Sequence, residues 1–158
     1  MDVTSDWFWE GNVVEAICRF LEQEGWMVVG KADTHSKERG VDIHAIHGGR
    51  TLLIEAKGYP SNNYRDPRRV SEVKPTNPTS QAQKWYSHAL LKVMRLQNEH
   101  PDAVVALGFP DFPSYRKLFE ETRYGLVKLG VAMLMVREDG TMETWGFNSK
   151  GWDVRERP

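Results

Sequence analysis

The chain has 158 residues, 40% of them hydrophobic, a formal net charge of -1 and a single cysteine, Cys18. These values predict one compact globular domain over residues 1–158, and one cysteine excludes an internal disulfide and a multi-cysteine zinc site. No run approaches the roughly 18 apolar residues of a membrane span, and the N-terminus lacks the pattern of a signal peptide, so we expect a cytoplasmic protein. The lack of a basic excess counts mildly against a dedicated DNA binder.

The spacing of apolar residues predicts an alternation of helices and strands along the chain. Helical periodicity indicates helices over residues 7–24, 81–99 and 115–128. Short apolar runs indicate strands over residues 26–29, 41–46, 51–56, 103–109, 131–136 and 141–147. The predicted order is helix, three strands, helix, strand, helix and two strands. This order favours an α/β fold with a mixed central sheet flanked by helices.

A predicted hairpin carries the acidic residues of greatest interest. Gly48 and Gly49 separate the second and third strands, and Gly-Gly suits a tight hairpin turn. Centring the turn on them places Asp42 directly opposite Glu55, with Cβ atoms about 4.5–5.5 Å apart. Lys57, two residues after Glu55, projects from the same face.

Opposed carboxylates destabilise a strand pair, so their presence needs a reason. A divalent cation could be bound between them, where it would activate a phosphodiester and a water molecule. Lys57 could orient that water or stabilise developing charge. The alternative is a structural salt-bridge cluster of strand residues. The functional interpretation is favoured because Glu55 ends an otherwise apolar strand, where burial is expected.

Three short motifs, in this order, resemble those of the PD-(D/E)XK (restriction-endonuclease-like) nuclease superfamily. They are Gly40-Val41-Asp42, Glu55-Ala56-Lys57, and Gln81 followed four residues later by Trp85. The last resembles the Gln-x-x-x-aromatic helix of Mrr-like endonucleases and Holliday-junction resolvases. Val41 stands where the family motif has its nominal proline.

The resemblance implies a restriction-endonuclease-like αβββαβ core and a metal-dependent deoxyribonuclease acting in restriction, repair or mobile-element defence. It implies that Asp42 and Glu55 bind Mg²⁺, with Mn²⁺ able to substitute, that Lys57 assists the attacking water, and that Gln81 helps to organise the site. A helix-borne glutamate often completes the metal site in this family. Glu15 is the candidate and Glu10 the alternative, although Glu15 could equally be a solvated helix residue.

Two basic segments are candidate contacts to the DNA backbone. Their residues are Lys37, Arg39, Arg65, Arg68, Arg69 and Lys74. A solvated loop or surface turn explains the same residues without DNA. No separate target-recognition domain is evident, so a homodimer or a partner protein would supply specificity. The alternative to a nuclease is a catalytically silent module of the same fold that binds nucleic acid or a protein.

Overall fold

A computed structural model describes residues 3–31, 40–60 and 77–146. The helices are α1 (Glu10–Gln23), α2 (Pro78–Glu99) and α3 (Pro113–Leu129), with a short 3-10 turn at Val3–Ser5. The strands are β1 (Met27–Lys31), β2 (Ile43–His47), β3 (Arg50–Ala56), β4 (Val104–Pro110), β5 (Val131–Val136) and β6 (Met142–Trp145). The predicted order of elements is therefore confirmed.

The described strands form one six-stranded sheet in the order β1-β2-β3-β4-β5-β6. Strands β1 to β3 pair antiparallel, β3, β4 and β5 pair parallel, and β6 pairs antiparallel with β5. The parallel pairs need long connections, and helices α2 and α3 lie within them. This mixed sheet, flanked by helices, confirms the predicted α/β class and is consistent with a restriction-endonuclease-like core.

Each face of the sheet is covered by a different set of helices. Helix α1 packs its apolar side chains against one face of the sheet. Helices α2 and α3 pack theirs against the opposite face. The first core includes Val13, Ile17, Leu21, Ile54, Ala106 and Leu134. The second includes Tyr86, Val93, Leu107, Phe109, Phe119 and Met133. Strand side chains alternate between the faces, so Leu53 and Glu55 point toward α2.

All three helices begin at different residues from those predicted. Helix α3 begins at Pro113, two residues early, with the proline in its first turn. Helix α2 begins at Pro78, earlier than predicted, because the Asn77 side chain accepts a hydrogen bond from the Ser80 backbone at 2.8 Å and proline is favourable in the first turn. Helix α1 begins only at Glu10, because the preceding residues form a turn that Asn12 holds through Thr4 and Asp6. Within the described residues, no helix combines the length and apolar character needed to cross a membrane.

Candidate functional site

The β2–β3 hairpin has the predicted register. His44 pairs with Leu53 and Ile46 with Thr51, while Gly48 and Gly49 adopt positive φ angles of 55° and 77° in the turn. Asp42 lies one residue before β2, and continuing the register places it opposite Glu55. The open end of the hairpin therefore brings the two predicted carboxylates together.

Asp42 and Glu55 are the buried charged residues of the described chain, 7% and 1% exposed. The Ala56 backbone N–H donates a hydrogen bond to Asp42 Oδ2 at 2.8 Å. Burial, first, and then the neighbouring charge and hydrogen bond of Glu55 raise the pKa of Asp42 to about 7. Two carboxylates therefore occupy a buried site in which ionising both is costly.

This raised pKa predicts a pH-dependent stability for the metal-free protein. Between about pH 4 and pH 7 the folded chain keeps a proton on Asp42 that the unfolded chain has lost. The free energy of unfolding should therefore fall as pH rises through this window. One pKa unit corresponds to about 1.4 kcal/mol, so we expect a decrease of a few kcal/mol. Denaturant titrations in the presence of a chelator at several pH values would measure it.

Asp42→Asn is the control for that pH series, because burial also raises the pKa of Glu10, which contributes to the same decrease. The curves of the wild type and of this variant should diverge as pH rises, with the wild type losing more stability. Parallel curves across the window would show that Asp42 titrates normally.

Two lysines neutralise Glu55 from different elements. Lys57 Nζ lies 3.1 Å from Glu55 Oε1, and Lys92 Nζ, from α2, lies 2.8 Å from Glu55 Oε2. Burial opposes the charge on Lys57, but the nearby Glu55 and Glu10 outweigh it and raise the pKa of Lys57. Lys57 is therefore a fixed positive charge at neutral pH and not a proton acceptor.

The structure brings Glu10, and not Glu15, to the acidic pair. Burial raises the pKa of Glu10, which senses the charges of Lys57 and Glu55 and accepts a hydrogen bond from the Gly58 backbone. Glu15 is half-exposed and forms an ion pair with Lys31 on β1 at 2.5 Å. Five residues turn an α-helix by about 140°, so the two glutamates point in different directions. Of the two glutamates considered from the sequence, Glu10 is therefore the one that lies near the acidic pair, and a role for either in binding metal stays a prediction.

Gly58, just beyond β3, lets the start of α1 approach the carboxylates. A Cβ atom at Gly58 would lie 2.6 Å from Glu10 N and 2.7 Å from Phe8 O. The strand end is held by hydrogen bonds from Lys57 N to Gly108 O at 3.0 Å and from the Tyr115 hydroxyl to Gly58 O at 2.7 Å. Glycine is required here by close packing of two backbones.

On α2, Lys92 reaches Glu55, and Gln81 is distant along the helix. Gln81 is half-buried in the first turn, eleven residues before Lys92. The two lie on the same helical face about 16 Å apart along the axis. Lys92 was not predicted, although its position between buried Ala89 and Leu96 was a usable signal. A lysine that borders an apolar stripe can bury its aliphatic stem there and place its ammonium group at the edge of the core.

The predicted DNA contacts are not described by the structure. Lys37, Arg39, Arg65, Arg68, Arg69 and Lys74 all lie outside the described residues. Within residues 3–31, 40–60 and 77–146, no group of three or more His, Cys, Asp or Glu side chains is arranged to hold a metal ion. The described site thus offers two adjacent carboxylates, with Glu10 nearby, and two lysines.

Comparison with known proteins gives a likeness to solved structures only. An fdxN element excision controlling factor protein from Anabaena variabilis is 17% identical with a TM-score of 0.48, and the match covers 86% of this chain and 96% of that one. An XisH family protein from Nostoc punctiforme is 16% identical with a TM-score of 0.44, covering 86% and 97%. No family model and no curated protein matches the chain. With identities and TM-scores this low, neither likeness bears on the chemistry of the site.

Proposed function

We propose that the protein is a metal-dependent deoxyribonuclease that hydrolyses DNA phosphodiester bonds. The observation that carries this proposal is the buried pair of carboxylates, Asp42 and Glu55, adjacent to the fixed positive charge of Lys57. Buried like charges cost stability, so a pair of this kind is best explained by a cation or substrate that needs it.

The residues at the open end of the hairpin fit a magnesium ion. Magnesium is commonly bound by one or two carboxylates together with waters and substrate phosphates, so Asp42 and Glu55 are a sufficient donor set. Glu55 Oε2 is buried and has no hydrogen-bond partner among the described residues, only its ion pair with Lys92. A bound Mg²⁺, or Mn²⁺ in its place, would supply electrophilic activation of the phosphodiester and of the attacking water.

The remaining side chains have separate roles in this proposal. Lys57 stabilises the negative charge that develops on the phosphate and helps to orient the water. Glu10 lies near Lys57 and Glu55 and supports the site from α1. Gln81 is kept as a further organising residue. The basic residues outside the described part of the chain would hold the phosphate backbone.

The biological setting follows from the resemblance to PD-(D/E)XK nucleases, in particular Mrr-like endonucleases and Holliday-junction resolvases. Restriction, repair and defence against mobile elements are all compatible with a cytoplasmic enzyme of this kind. We propose that a homodimer or a partner protein supplies specificity for DNA.

A second candidate is a catalytically silent module of the same fold that binds nucleic acid or a protein. The observation that favours it is the pairing of both Glu55 oxygens with lysines, at 3.1 and 2.8 Å. Such a cluster is electrostatically satisfied without metal. Asp42 favours the nuclease over the silent module. Among the described contacts no lysine forms an ion pair with it, so ionising its buried carboxyl group remains costly without a cation.

The test is cleavage of plasmid, linear, single-stranded and branched DNA in the presence of Mg²⁺ or Mn²⁺, with Lys57→Ala alongside. We expect cleavage that requires the metal and falls by at least about a hundredfold in the variant, because Lys57 acts in the transition state. A thermal melt with and without Mn²⁺ should show stabilisation by the bound ion.

The silent-module alternative predicts a different pair of results. No substrate is cleaved, and the melting temperature does not change with either metal. Cleavage that survives unchanged in Lys57→Ala would also contradict the assigned site, because the reaction would then be occurring elsewhere or in a contaminant.

A further inference from the structure

Lys92 contacts both sides of the open end of the hairpin that holds the acidic pair. Its ammonium forms the ion pair with Glu55 Oε2 at 2.8 Å and also donates a hydrogen bond to the Gly40 carbonyl, two residues before Asp42. Gly40 and Glu55 lie on opposite sides of the open end of the hairpin. One side chain from α2 therefore connects the segment before β2 to the end of β3.

The two lysines hold Glu55 in different ways. Lys57 directly follows the strand that carries Glu55 and its side chain is 24% exposed, whereas the Lys92 side chain, from α2, is 36% exposed. The Glu55 oxygen that faces Lys92 is held by charge without a well-directed hydrogen bond among the described residues. This contact is therefore the easier one to exchange, and a released Lys92 can be solvated at little cost.

We propose that Lys92 is a positioning residue that acts as an internal cation: it holds the acidic pair together in the metal-free protein and is displaced from Glu55 when a divalent cation binds. This inference rests on the proposed function. It extends that function by assigning a residue that exchanges with the metal, and it distinguishes Lys92 from Lys57, which stays at the site.

Lys92 could either compete with the metal for Glu55 or only maintain the structure of the site, and these two roles predict opposite effects on metal affinity. If Lys92 competes for Glu55 Oε2, then removing its charge frees that oxygen and leaves the carboxylates less neutralised, so metal binds more tightly. If Lys92 only maintains the structure of the site, then removing it disorders the carboxylates and metal binds more weakly.

The experiment is titration of the full chain with Mn²⁺ alone, by calorimetry or by paramagnetic resonance of the free ion. Lys92→Met should bind Mn²⁺ at least about tenfold more tightly than the wild type, since a nearby positive charge has been removed. Lys84→Met, at an exposed position of the same helix, is the matched control and should leave the affinity unchanged. Saturating Mn²⁺ should also raise the melting temperature of Lys92→Met more than that of the wild type.

If Lys92→Met does not fold, Lys92→Gln provides the same comparison. The glutamine amide is uncharged but can still donate a hydrogen bond to the Gly40 carbonyl. An affinity equal to or weaker than that of the wild type in the folded Lys92 variants would overturn the role of Lys92 and leave the nuclease proposal standing. If no variant binds Mn²⁺, or if tight binding persists in Asp42→Asn, both proposals fail.

Discussion

Asp42→Asn should abolish metal-dependent DNA cleavage while leaving the fold at least as stable as the wild type at neutral pH. The asparagine oxygen can still accept the hydrogen bond that the Ala56 N–H donates at 2.8 Å. The substitution also removes a charge that burial, first, and then the neighbouring Glu55 make costly, as the raised pKa of Asp42 indicates. Loss of one of two carboxylates at the proposed metal site should lower kcat/KM by roughly a thousandfold, or about 4 kcal/mol.

Asp42→Ala is the matched variant that separates charge from hydrogen bonding. It removes the same carboxylate but leaves the Ala56 N–H without its acceptor, at a cost of about 1–3 kcal/mol. Denaturant unfolding should thus rank Asp42→Asn above Asp42→Ala in stability, with both variants inactive. Full cleavage by Asp42→Asn would exclude this carboxylate from catalysis, and destabilisation by several kcal/mol would instead favour a structural cluster.

Gly58→Ala should destabilise the protein by about 1–3 kcal/mol and weaken cleavage, because the new methyl group has no space. Its Cβ would lie 2.6 Å from Glu10 N and 2.7 Å from Phe8 O, both of them backbone atoms that cannot rotate away. The start of α1 or the end of β3 must move, and either movement separates Glu10 from Lys57 and Glu55. We expect cleavage to fall by at least about tenfold under this loss of alignment.

Gly125→Ala is the control for that substitution and should have the opposite sign. Gly125 lies within α3, and no atom lies within 4 Å of a Cβ built there. Alanine in a helix interior is more stable than glycine by roughly 0.5–1 kcal/mol. Equal stability of Gly58→Ala and the wild type would show that α1 is free to move relative to β3.

The hairpin was predictable from sequence because its determinants are local. Gly48 and Gly49 supply the positive φ angles of the turn, and alternation along each strand then assigns side chains to faces. Asp42, Glu55 and Lys57 follow from that register without further information. The order of helices and strands was equally accessible, since periodicity is a property of each segment alone.

The third acidic residue and the second lysine depend on contacts far apart along the chain. Glu10 reaches the site only because Gly58 allows two backbones to approach closely, which a helical wheel of α1 cannot show. Lys92 is 37 residues after Glu55 and reaches it because α2 packs on the face of the sheet to which Glu55 points. The sequence signal for Lys92 was only its place beside an apolar stripe.

The sequence by itself thus determined the α/β class, the hairpin and the pairing of two carboxylates with Lys57, because short-range periodicity and turn geometry encode them. The tertiary structure alone decided which glutamate of α1 lies at the site, which residue of α2 contacts Glu55, and how strongly burial raises the pKa of Asp42. Those properties arise from desolvation and from charges on separate elements, and they exist only once the helices have packed against the sheet.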